Sequence, residues 1–519
     1  MKKVAWLPAL FIALTLFSAD RRAWPESSAS SEKKAWVMPL LREGKAAYPC
    51  RVAVWFDPQL LQDAAAFERK KAEFAGWRRS DMRRRVVADL KRLNDDAWLR
   101  ARAGVESLAA AKKIDQVRRH WIINGFSCRV NNADGLTGLT ALPGVSHVFA
   151  RVDDRPSGRP AGRPVFYPAI DLPAFGPDSL SVPWYIQDLA VDRVWREFAI
   201  FGQHTLTVVH DTNFIMTAAL AAGLFRNPGE TPANGLDDDA NGRVDDVHGF
   251  NFDFDNADLT PLGTSGIKDA PGPGLHGSLC ASLICGREVG GLPGVAPRSH
   301  WAGVVGHGRI EEAVEWAVEM DADVYNMSFS LPGLGQYRSY WRKVMEQGTL
   351  CGLVFVSGAG NFARPGAENY APVPVQMRIP EDIPEAVMAV AGVGRDLVRP
   401  PFSSQGPVQW LTDDYREGTV PKPDLAAFNV GLPVMMPDGP EGPRNVSGNS
   451  FAGALLSGAA ALILSADPEL LPWELREILI RTARDVGPPG FDYQTGHGLI
   501  DCYRAAQEAL RRREAGVGE

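Results

Sequence analysis

An apolar segment near the carboxyl end constrains the fold more than any other part of this chain. Leu455 to Leu464 is almost entirely Leu, Ala, Ile and Gly, and it directly follows the small-residue stretch Ser447–Ala454. A helix that is apolar on all sides is buried in the core of a large domain. Ser450 lies at the start of this helix, where free N–H groups and the helix dipole favour negative charge. Taken alone, the segment predicts a buried helix with a serine N-cap.

Two upstream segments supply the groups that a serine nucleophile needs. Residues 205–211 form a β-branched run ending in Asp211, typical of a buried parallel strand whose carboxyl end faces a site. His276 opens a stretch of small and apolar residues that predicts a tightly packed helix. An imidazole activates a serine hydroxyl, and a carboxylate fixes the tautomer of the imidazole. Asp211, His276 and Ser450 are therefore the predicted catalytic residues.

With the order Asp, His, Ser, the sequence resembles the subtilisin-like serine peptidases (subtilases) over residues 180–510. The resemblance implies an α/β fold with a mostly parallel sheet and helices on both faces. It also implies a serine endopeptidase that forms an acyl-enzyme intermediate on polypeptide substrates. It rests on blocks in the family's order: Val208–Thr212, His276–Ala281, Gly294–Pro297, Asp323–Ser328, Val354–Asn361, Phe402–Pro407, Lys422–Ala426 and Ser447–Ala454.

The resemblance implies further roles around the site. The amide of Asn361 would donate to the oxyanion, together with the backbone N–H of Ser450. The segment Ser328-Phe329-Ser330 would pair with substrate backbone as an added strand. The main side-chain pocket would have walls of small residues, which favour a bulky apolar substrate side chain: Ser357, Gly358 and Ala359, followed by Gly360.

Some residues near Ser450 depart from the family pattern. Asn449 stands in place of a Thr, Phe451 of a Met and Ala454 of a Pro. All four chemical groups are present, which favours an active peptidase over the alternative, a catalytically silent subtilase-like protein that binds peptides. A rival interpretation, a nucleotide-binding Rossmann enzyme, rests on Gly392-Val393-Gly394. The third glycine of that fingerprint is replaced by Leu397, so this signal is weak.

An acidic segment, residues 234–246, predicts a calcium site. It contains the pattern D-x-D-x-N-G-x-x-D, with oxygen ligands at the spacing of an EF-hand-like loop. His248 stands where an EF-hand has its bidentate Glu, so the loop is not a full EF-hand. Close carboxylates repel one another unless a cation neutralises them, which favours calcium over a solvated loop. The predicted ligands are Asp237, Asp239, Asn241, Asp245 and the backbone carbonyl of Arg243.

The amino-terminal region predicts export and a separate first domain. Residues 1–19 combine two lysines, an apolar run and small residues, which predicts a signal peptide and a secreted or periplasmic protein, with no stable membrane insertion after cleavage. Residues 20–35 are a predicted linker. Residues 36–152 resemble the inhibitory prodomain of many subtilases, the alternative being an unrelated binding domain. A Pro-, Gly- and Arg-rich linker and processing region covers 153–180, and the peptidase domain covers 181–512.

Within the predicted prodomain, the patterns give a small α+β sandwich of order β-α-β-α-β. Its expected strands and helices are Cys50–Phe56, Ala64–Leu108 in two or more helical pieces, Trp121–Val130, Leu136–Leu142 and Val145–Val152. In the peptidase domain, Ile310–Glu319 predicts a helix, and Val354–Ser357 and Val387–Val393 predict strands.

Charge and cysteine content narrow the function classes further. A net charge of −7 gives no reason to expect nucleic acid or an anionic membrane as partner. Six cysteines in 519 residues are not a disulfide scaffold. A Cys50–Cys128 bridge requires that their two strands pair. Cys280 and Cys285 are expected as buried thiols, since a zinc site with His276 lacks a second ligand pair at suitable spacing.

Overall fold

The computed structural model of the protein describes residues 35–151, 182–260, 275–287, 292–435 and 443–517. The predicted signal peptide, residues 1–19, lies outside the described residues. The linker over 20–35 lies outside them except for Ala35, and the processing region over 153–180 lies wholly outside. These three predictions therefore stay predictions.

The first described segment folds into a five-stranded sheet whose central strand pairs with neighbours on both sides in antiparallel fashion. The strand order is β1-β5-β2-β4-β3. The strands are β1 (Trp36–Val37), β2 (Cys50–Phe56), β3 (Ile114–His120), β4 (Gly125–Val130) and β5 (Val145–Ala150), and the helices of this segment are α1 (Pro39–Arg42), α2 (Ala66–Glu73), α3 (Arg79–Ala110) and α4 (Ala133–Thr140).

Alternation along β2 gives this sheet two apolar faces. Phe56 packs on Phe126, and Phe126 packs on Trp98 of α3, so one face is covered by the segment's own helix. Trp55 and its neighbour Phe149 point the other way, as expected from the period of two in a strand. That second face needs a cover from elsewhere in the chain.

The predicted elements of this segment are confirmed, whereas β1, α1 and β3 were not predicted. β2 has the predicted bounds, and the long helical pattern divides into α2 and α3. The sequence missed β3, because four of its seven residues are charged or amide side chains and only its two ends are buried. The paired strands β2 and β4 bring Cys128 opposite Val52, not opposite Cys50, and all six cysteines are free thiols.

The remaining strands build a seven-stranded parallel sheet of order β14-β11-β10-β9-β6-β8-β7, which confirms the predicted fold class. Two short antiparallel hairpins, β12–β13 and β15–β16, accompany it. The strands are β6 (Leu206–Asp211), β7 (Gly249–Asn251), β8 (His300–Val305), β9 (Val324–Met327), β10 (Val354–Gly358), β11 (Val387–Val393), β12 (Val408–Trp410), β13 (Gly418–Val420), β14 (Leu425–Phe428), β15 (Leu432–Met435) and β16 (Pro443–Val446).

Helices cover both faces of the parallel sheet, because its strands are apolar on both sides. Val208 packs in the same cluster as α9 and α10, whereas the next residue, Val209, packs in the cluster of α8 and α11. The helices are α5 (Trp184–Asp188), α6 (Val191–Phe198), α7 (Ala218–Ala221), α8 (His276–Cys285), α9 (Ile310–Glu319), α10 (Arg338–Leu350), α11 (Asn449–Ala466), α12 (Pro472–Thr482) and α13 (Cys502–Val517).

Helix α11 is the central helix that the sequence predicted. Among the described helices it alone has the length and apolarity of a membrane span, yet 89% of it is buried inside the fold. It lies against strands β9, β10, β11 and β14 and against α8. Its position in the core therefore accounts for its composition.

Helices α9 and α10 cover the second face of the five-stranded sheet. Tyr340 of α10 stacks on Trp55 with ring centroids 6.0 Å apart. The buried ammonium of Lys343 donates to the carbonyl of Leu61 at 2.7 Å, and Gln347 donates to the carbonyl of Ile122. The two sheets thus share one continuous apolar core on this side.

Candidate active site

The carboxyl end of β6 and the first turn of α8 meet at one edge of the parallel sheet. Asp211, the last residue of β6, is 3% exposed, and His276 is the first residue of α8. The Nδ1 atom of His276 lies 2.7 Å from Oδ2 of Asp211. The other carboxylate oxygen of Asp211 accepts from the backbone N–H of Thr212 at 2.7 Å. The carboxylate is therefore fixed by its own turn and orients the imidazole.

Ser450 is the second residue of α11, a helix whose first turn reaches the ring of His276. The ring of the following residue, Phe451, is 5.8 Å from the ring of His276, centroid to centroid. The hydroxyl of Ser450 donates to the carbonyl of Ser328 at 3.3 Å, and the hydroxyl of Ser328 donates to the carbonyl of Ser450 at 3.1 Å. These reciprocal hydrogen bonds join the start of α11 to the residue that follows β9.

The local charges favour an ion pair between Asp211 and His276. Burial disfavours the charged imidazole, but the charge and the hydrogen bond of Asp211 outweigh it and raise the pKa of His276. Burial likewise opposes ionisation of Asp211, and the attraction of His276 together with its hydrogen bonds lowers the pKa of that carboxyl. The carboxylate thus stays ionised and stabilises a proton on the imidazole.

Asn361 lies beside the start of α11, three residues beyond β10. Its Oδ1 accepts from the backbone N–H of Asn449 at 2.9 Å, which fixes the orientation of the side-chain amide. Its Nδ2 lies on the side of Gly448, the N-cap of α11. The amide N–H groups of Asn361 and the backbone N–H groups at the start of α11 are thus neighbours.

Asn449, which replaces the family's Thr, holds this corner together. Its side-chain nitrogen donates to the carbonyl of Gly360 at 2.6 Å and to the hydroxyl of Ser403 at 3.0 Å. Its side-chain oxygen accepts from Asn429 at 2.7 Å. Both polar atoms of the Asn449 side chain are thus hydrogen-bonded inside the core, so the replacement keeps the loop before Asn361 tied to α11.

The segment Ser328-Phe329-Ser330 continues β9 past the edge of the sheet. Ser330 is partly exposed, as expected for a residue that meets a ligand. The ring of Phe329 turns inward, with its centroid 4.1 Å from that of His307 and 4.9 Å from that of His210. Ser328 is buried, so Ser330 is the residue of this segment that is better placed to contact a substrate.

The predicted pocket walls on β10 are more deeply buried than the sequence indicated. Ser357 and Ala359 have no exposed surface, and Gly358 packs directly against the backbone of Asn449. The partly exposed residues on this side are Asn361 and Phe362, immediately downstream. The three small residues therefore support the cleft from behind.

A buried histidine that the sequence analysis did not single out, His210, directly precedes Asp211 on β6. His210 donates from Nε2 to the carbonyl of Gly306 at 2.7 Å, and its Nδ1 accepts from the hydroxyl of Tyr325 at 2.9 Å. Burial lowers its pKa to about 3, so it is neutral. It was read only as part of a strand, because a histidine within a β-branched run carries no catalytic pattern of its own.

The acidic loop brings two of the predicted calcium ligands close to a further carboxylate, Glu230. One carboxylate oxygen from each of Asp237, Asp239 and Glu230 lies within 4.8 Å of the others. Oε2 of Glu230 and Oδ1 of Asn241 are buried without a hydrogen-bond partner among the described residues. Two unpartnered oxygens beside two further carboxylates fit a hard cation. Glu230 was missed because it precedes the loop motif by seven positions.

Another predicted calcium ligand, Asp245, is engaged elsewhere. Asp245 accepts from the backbone N–H groups of Asn234 and Gly235, at 3.2 and 3.0 Å. The guanidinium of Arg243 donates to the carbonyls of Asn241 and Glu312, each at 3.0 Å, and the role predicted for its own backbone carbonyl stays a prediction. The described geometry therefore centres the acidic cluster on the first half of the loop.

The rival interpretations find little support in the fold. A Rossmann fingerprint opens a helix directly after its strand, whereas β11 is followed in the described chain by turns and then by β12. Cys280 lies near Asp211 and His276, but burial raises the pKa of its thiol well above the usual range. A thiol held protonated is a poor zinc ligand, because zinc binds the thiolate.

Comparison with known proteins adds a family assignment. The model of the subtilase family, peptidase S8, matches residues 234–498, which is just over half of the 519 residues. That range contains His276, Asn361 and Ser450. It begins after Asp211, so the position of Asp211 beside His276 is known from the structure.

Curated relatives agree with this assignment. Aligned segments are 29% identical to a probable subtilase-type serine protease of Deinococcus radiodurans, over 50% of this chain and 34% of that protein. They are 30% identical to Mycosin-1 of Mycobacterium tuberculosis, over 48% of this chain and 63% of that protein. The chain thus spans less than two thirds of the length of either relative.

Subtilisin E of Bacillus subtilis is 27% identical over 48% of this chain and 60% of its own length. Among solved structures, MycP1 with its N-terminal propeptide removed matches with a TM-score of 0.43 and 22% identity, covering 62% of this chain and 96% of that one. With a family model that covers half of its length, this chain belongs to the subtilase family.

Proposed function

We propose that the protein is a serine endopeptidase that cleaves polypeptides through an acyl-enzyme intermediate. The observation that carries the proposal is the 2.7 Å contact between His276 Nδ1 and Asp211 Oδ2, beside the residue pair Ser450-Phe451 at the start of α11. A serine adjacent to an oriented imidazole is the arrangement that nucleophilic catalysis requires. Family membership supports the same reaction class.

In the proposed reaction, Ser450 leaves its hydrogen bond to Ser328 and turns its hydroxyl towards Nε2 of His276. The imidazole takes the hydroxyl proton as the oxygen attacks the substrate carbonyl carbon. His276 then gives that proton to the leaving amine, and the bond between carbonyl carbon and nitrogen breaks. Asp211 stabilises the imidazolium in between, because it stays ionised. Water repeats the sequence to release the acid.

Asn361 would stabilise the charge that develops on the carbonyl oxygen. Its Oδ1 is held by the backbone N–H of Asn449, so its Nδ2 is a preorganised donor beside Ser450. A donor of this kind is worth about 10²–10³ in kcat. The backbone N–H of Ser450, at the start of α11, would be the second donor.

Labelling by a fluorophosphonate tests the proposal, because the reagent reacts with an activated serine. We expect covalent labelling of the wild-type protein at Ser450, and no labelling of Ser450→Ala. A matched control is Ser465→Ala, at the far end of the same helix, which should label like the wild type.

Failure of the wild-type protein to label, with the region 153–180 cut, would favour the alternative, a catalytically silent peptide-binding protein. Peptide binding without cleavage, measured by calorimetry on the same preparation, would then identify that alternative.

We further propose that residues 36–152 act as an intramolecular inhibitor and that the protein is exported as a zymogen. The buried side chains of Lys343 and Gln347 of α10 donate to loop carbonyl groups of the first segment, which supports a tight association of the two parts. The basic and apolar pattern of residues 1–19 supports secretion or delivery to the periplasm.

Limited proteolysis within 153–180 tests the zymogen proposal. We expect slow labelling by fluorophosphonate before the cut and faster labelling after the inhibitory segment dissociates. Equal rates before and after the cut would contradict inhibition. Mass spectrometry of the exported chain should place its first residue close to position 20, and an intact Met1 would contradict signal cleavage.

Calcium bound by Glu230, Asp237, Asp239 and Asn241 is proposed as a structural cofactor. The unpartnered buried oxygens of Glu230 and Asn241 support it, because a buried carboxylate or amide oxygen without a donor is unfavourable unless a cation satisfies it. The ion would hold together the loop that precedes β7.

Thermal unfolding measured with calcium and with EGTA tests this site without any activity assay. We expect calcium to raise Tm in the wild-type protein and to have much less effect on Asp239→Asn. The exposed Asp96→Asn variant is the control and should respond like the wild type. A calcium response that persists unchanged in Asp239→Asn would contradict the site.

A further inference from the structure

A third segment, Met377–Glu381, closes the space between the two stretches expected to contact substrate. The backbone N–H of Leu331, directly after Ser330, donates to the carbonyl of Ile379 at 2.7 Å in an isolated antiparallel bridge. The hydroxyl of Ser330 donates to Oε1 of Glu381 at 2.6 Å. This segment is therefore fixed to the Ser328–Ser330 side of the cleft.

The same segment also reaches the opposite side of the cleft. The guanidinium of Arg378 lies 3.7 Å from the ring centroid of Phe362, the residue directly after Asn361. Arg378 thus lies between the strand-like segment Ser328–Ser330 and the residue expected to bind the oxyanion. The substrate residue whose carbonyl binds at Asn361 would carry its side chain towards this position.

Arg378 has no counter-ion among the described residues. Its side chain is only partly exposed, yet its guanidinium makes no hydrogen bond or ion pair with any described residue. Burial lowers its pKa, as expected for a covered cation. Two other covered arginines of this domain are paired with carboxylates: Arg309 contacts Glu312, and Arg342 contacts Glu346 and Glu417.

The nearby acid does not supply the missing negative charge. The carboxyl of Glu381 faces Ser330 and the backbone N–H of Arg378, not the guanidinium. Burial raises the pKa of Glu381 to about 8, so it is mostly protonated at neutral pH. Asp382, the next residue, is paired with Arg338 at 2.7 Å. The charge that this part of the cleft presents is therefore positive.

We propose that Arg378 determines specificity and selects substrates with Asp or Glu at the residue that precedes the cleaved bond. This inference rests on the peptidase function proposed above and names its substrate class. A carboxylate would give the guanidinium two charge-assisted hydrogen bonds in a site already shielded by the Phe362 ring. This preference for an acidic side chain replaces the earlier expectation, drawn from the small residues of β10, that the substrate side chain is bulky and apolar.

Four matched peptides that differ only in the residue before the cleaved bond test the inference: Glu, Gln, Leu and Lys. The full-length protein, cut within 153–180, is assayed for kcat/KM on each. We expect Glu to exceed Gln, its uncharged isostere, by about 10–100-fold, the usual value of hydrogen bonds to a charged group. The preference for Glu over Gln should hold at moderate salt and become smaller at high salt, because salt screens the charges.

Two variants separate charge recognition from a structural role. Arg378→Gln should cleave the Glu and Gln peptides equally well, and Arg378→Glu should favour Lys over Glu. Arg364→Gln, on the exposed loop just after Phe362, is the control and should retain the wild-type order. Reversal of preference by Arg378→Glu is a result that a merely structural residue cannot give.

The inference fails if wild-type enzyme cleaves Gln or Leu peptides as fast as Glu peptides, or if Arg378→Gln leaves the Glu preference intact. The labelling rate of Ser450 keeps this failure distinct from that of the peptidase proposal. Labelled enzyme without charge preference overturns only the role of Arg378, whereas unlabelled enzyme overturns the peptidase proposal as well.

Discussion

The hydrogen bond between His276 and Asp211 controls how the site responds to pH. A general base must be neutral to accept a proton, and Asp211 raises the pKa of His276 by favouring the imidazolium. Activity should therefore fall as the pH drops through this raised pKa. Loss of the Asp211 charge would lower the pKa of His276. The acid limb of the pH–activity profile would then move to lower pH.

Asp211→Asn tests this relation. We expect kcat to fall by about 10⁴-fold, because the amide no longer holds the imidazole in the required tautomer. The residual activity should have its acid limb at lower pH than the wild type, measured as kcat/KM from pH 4 to 9. Asp96→Asn should change neither quantity, and an acid limb that moves towards alkaline pH would contradict the assignment.

Glu381 makes a separate contribution to stability at the residue scale. Its pKa in the folded protein is raised to about 8 from an ordinary value of 4.5, mainly by burial. The folded state therefore holds a proton that the unfolded state has lost between these two values. Linkage then requires that stability fall as the pH rises from 4.5 to 8 and level off above.

Glu381→Gln should remove this pH dependence. The variant should gain on the wild type as the pH rises, by at most about 5 kcal/mol at pH 9, in urea unfolding experiments. The charged neighbours Asp382 and Arg378 are unchanged in the variant, and Asp382→Asn serves as the comparison. Parallel pH profiles for wild type and Glu381→Gln would show that Glu381 ionises normally.

At the scale of elements, the close approach of α11 to β10 positions Ser450. An ideal Cβ at Gly453 would lie 2.7 Å from the backbone nitrogen of Gly358, nearer than real Cβ contacts occur. Gly358 in turn meets the backbone of Asn449. Glycines on both elements let the helix pack directly on the strand, so that the nucleophile and Asn361 share one corner.

Gly453→Ala should destabilise the protein by about 1–3 kcal/mol through overpacking and lower kcat by moving Ser450. The control is Gly104→Ala in helix α3, where the new Cβ meets only the flexible end of Leu142. Helix propensity favours alanine there, by up to about 1 kcal/mol, which offsets the crowding. Equal losses of stability in the two variants, measured by urea unfolding, would contradict the packing argument.

At the scale of the whole molecule, buried ion pairs join the five-stranded sheet to α9. Arg151 lies 2.6 Å from Glu311, and both side chains are almost completely buried. His120 approaches the same carboxylate at 3.3 Å. A more exposed ion pair, Lys91 with Glu319 at 3.2 Å, also joins the first segment to α9 and serves as a comparison.

Arg151→Met should cost about 3–5 kcal/mol, because it leaves Glu311 buried without its main counter-ion. Lys91→Met should cost less than about 1 kcal/mol, as is usual for exposed pairs. The double variant Arg151→Met/Glu311→Gln should recover much of the loss. Urea unfolding at pH 7 measures all three, and an Arg151→Met protein as stable as Lys91→Met would contradict a tightly bound interface.

Much of the architecture follows from local pattern. The bounds of α9 and β11 match the sequence prediction, because each is an uninterrupted periodic or β-branched run. β3 was missed, because Arg118 and Arg119 face solvent and carboxylates of neighbouring elements and so hide the strand pattern. Short polar strands depend on their partners more than on their own residues.

Some residues of the site were likewise predicted from local sequence, and others were not. Asp211, His276, Asn361 and Ser450 were predicted from blocks of sequence, since the small residues and apolar runs around them are local features. Their catalytic roles stay predictions until labelling is measured. Glu230 in the acidic loop and Arg378 in the cleft had no such pattern, because each is defined by residues far along the chain.

The sequence by itself determined the parallel α/β core, the buried helix α11 and the chemical groups available to the site, because burial and periodicity are written in consecutive residues. Only the tertiary structure decided that Arg378 lies between Ser330 and Phe362 with no ion pair to a described residue, and that Glu381 is buried beneath Ser330. Charge balance in a cleft depends on which distant segments meet there, and that information is absent from any single stretch of the chain.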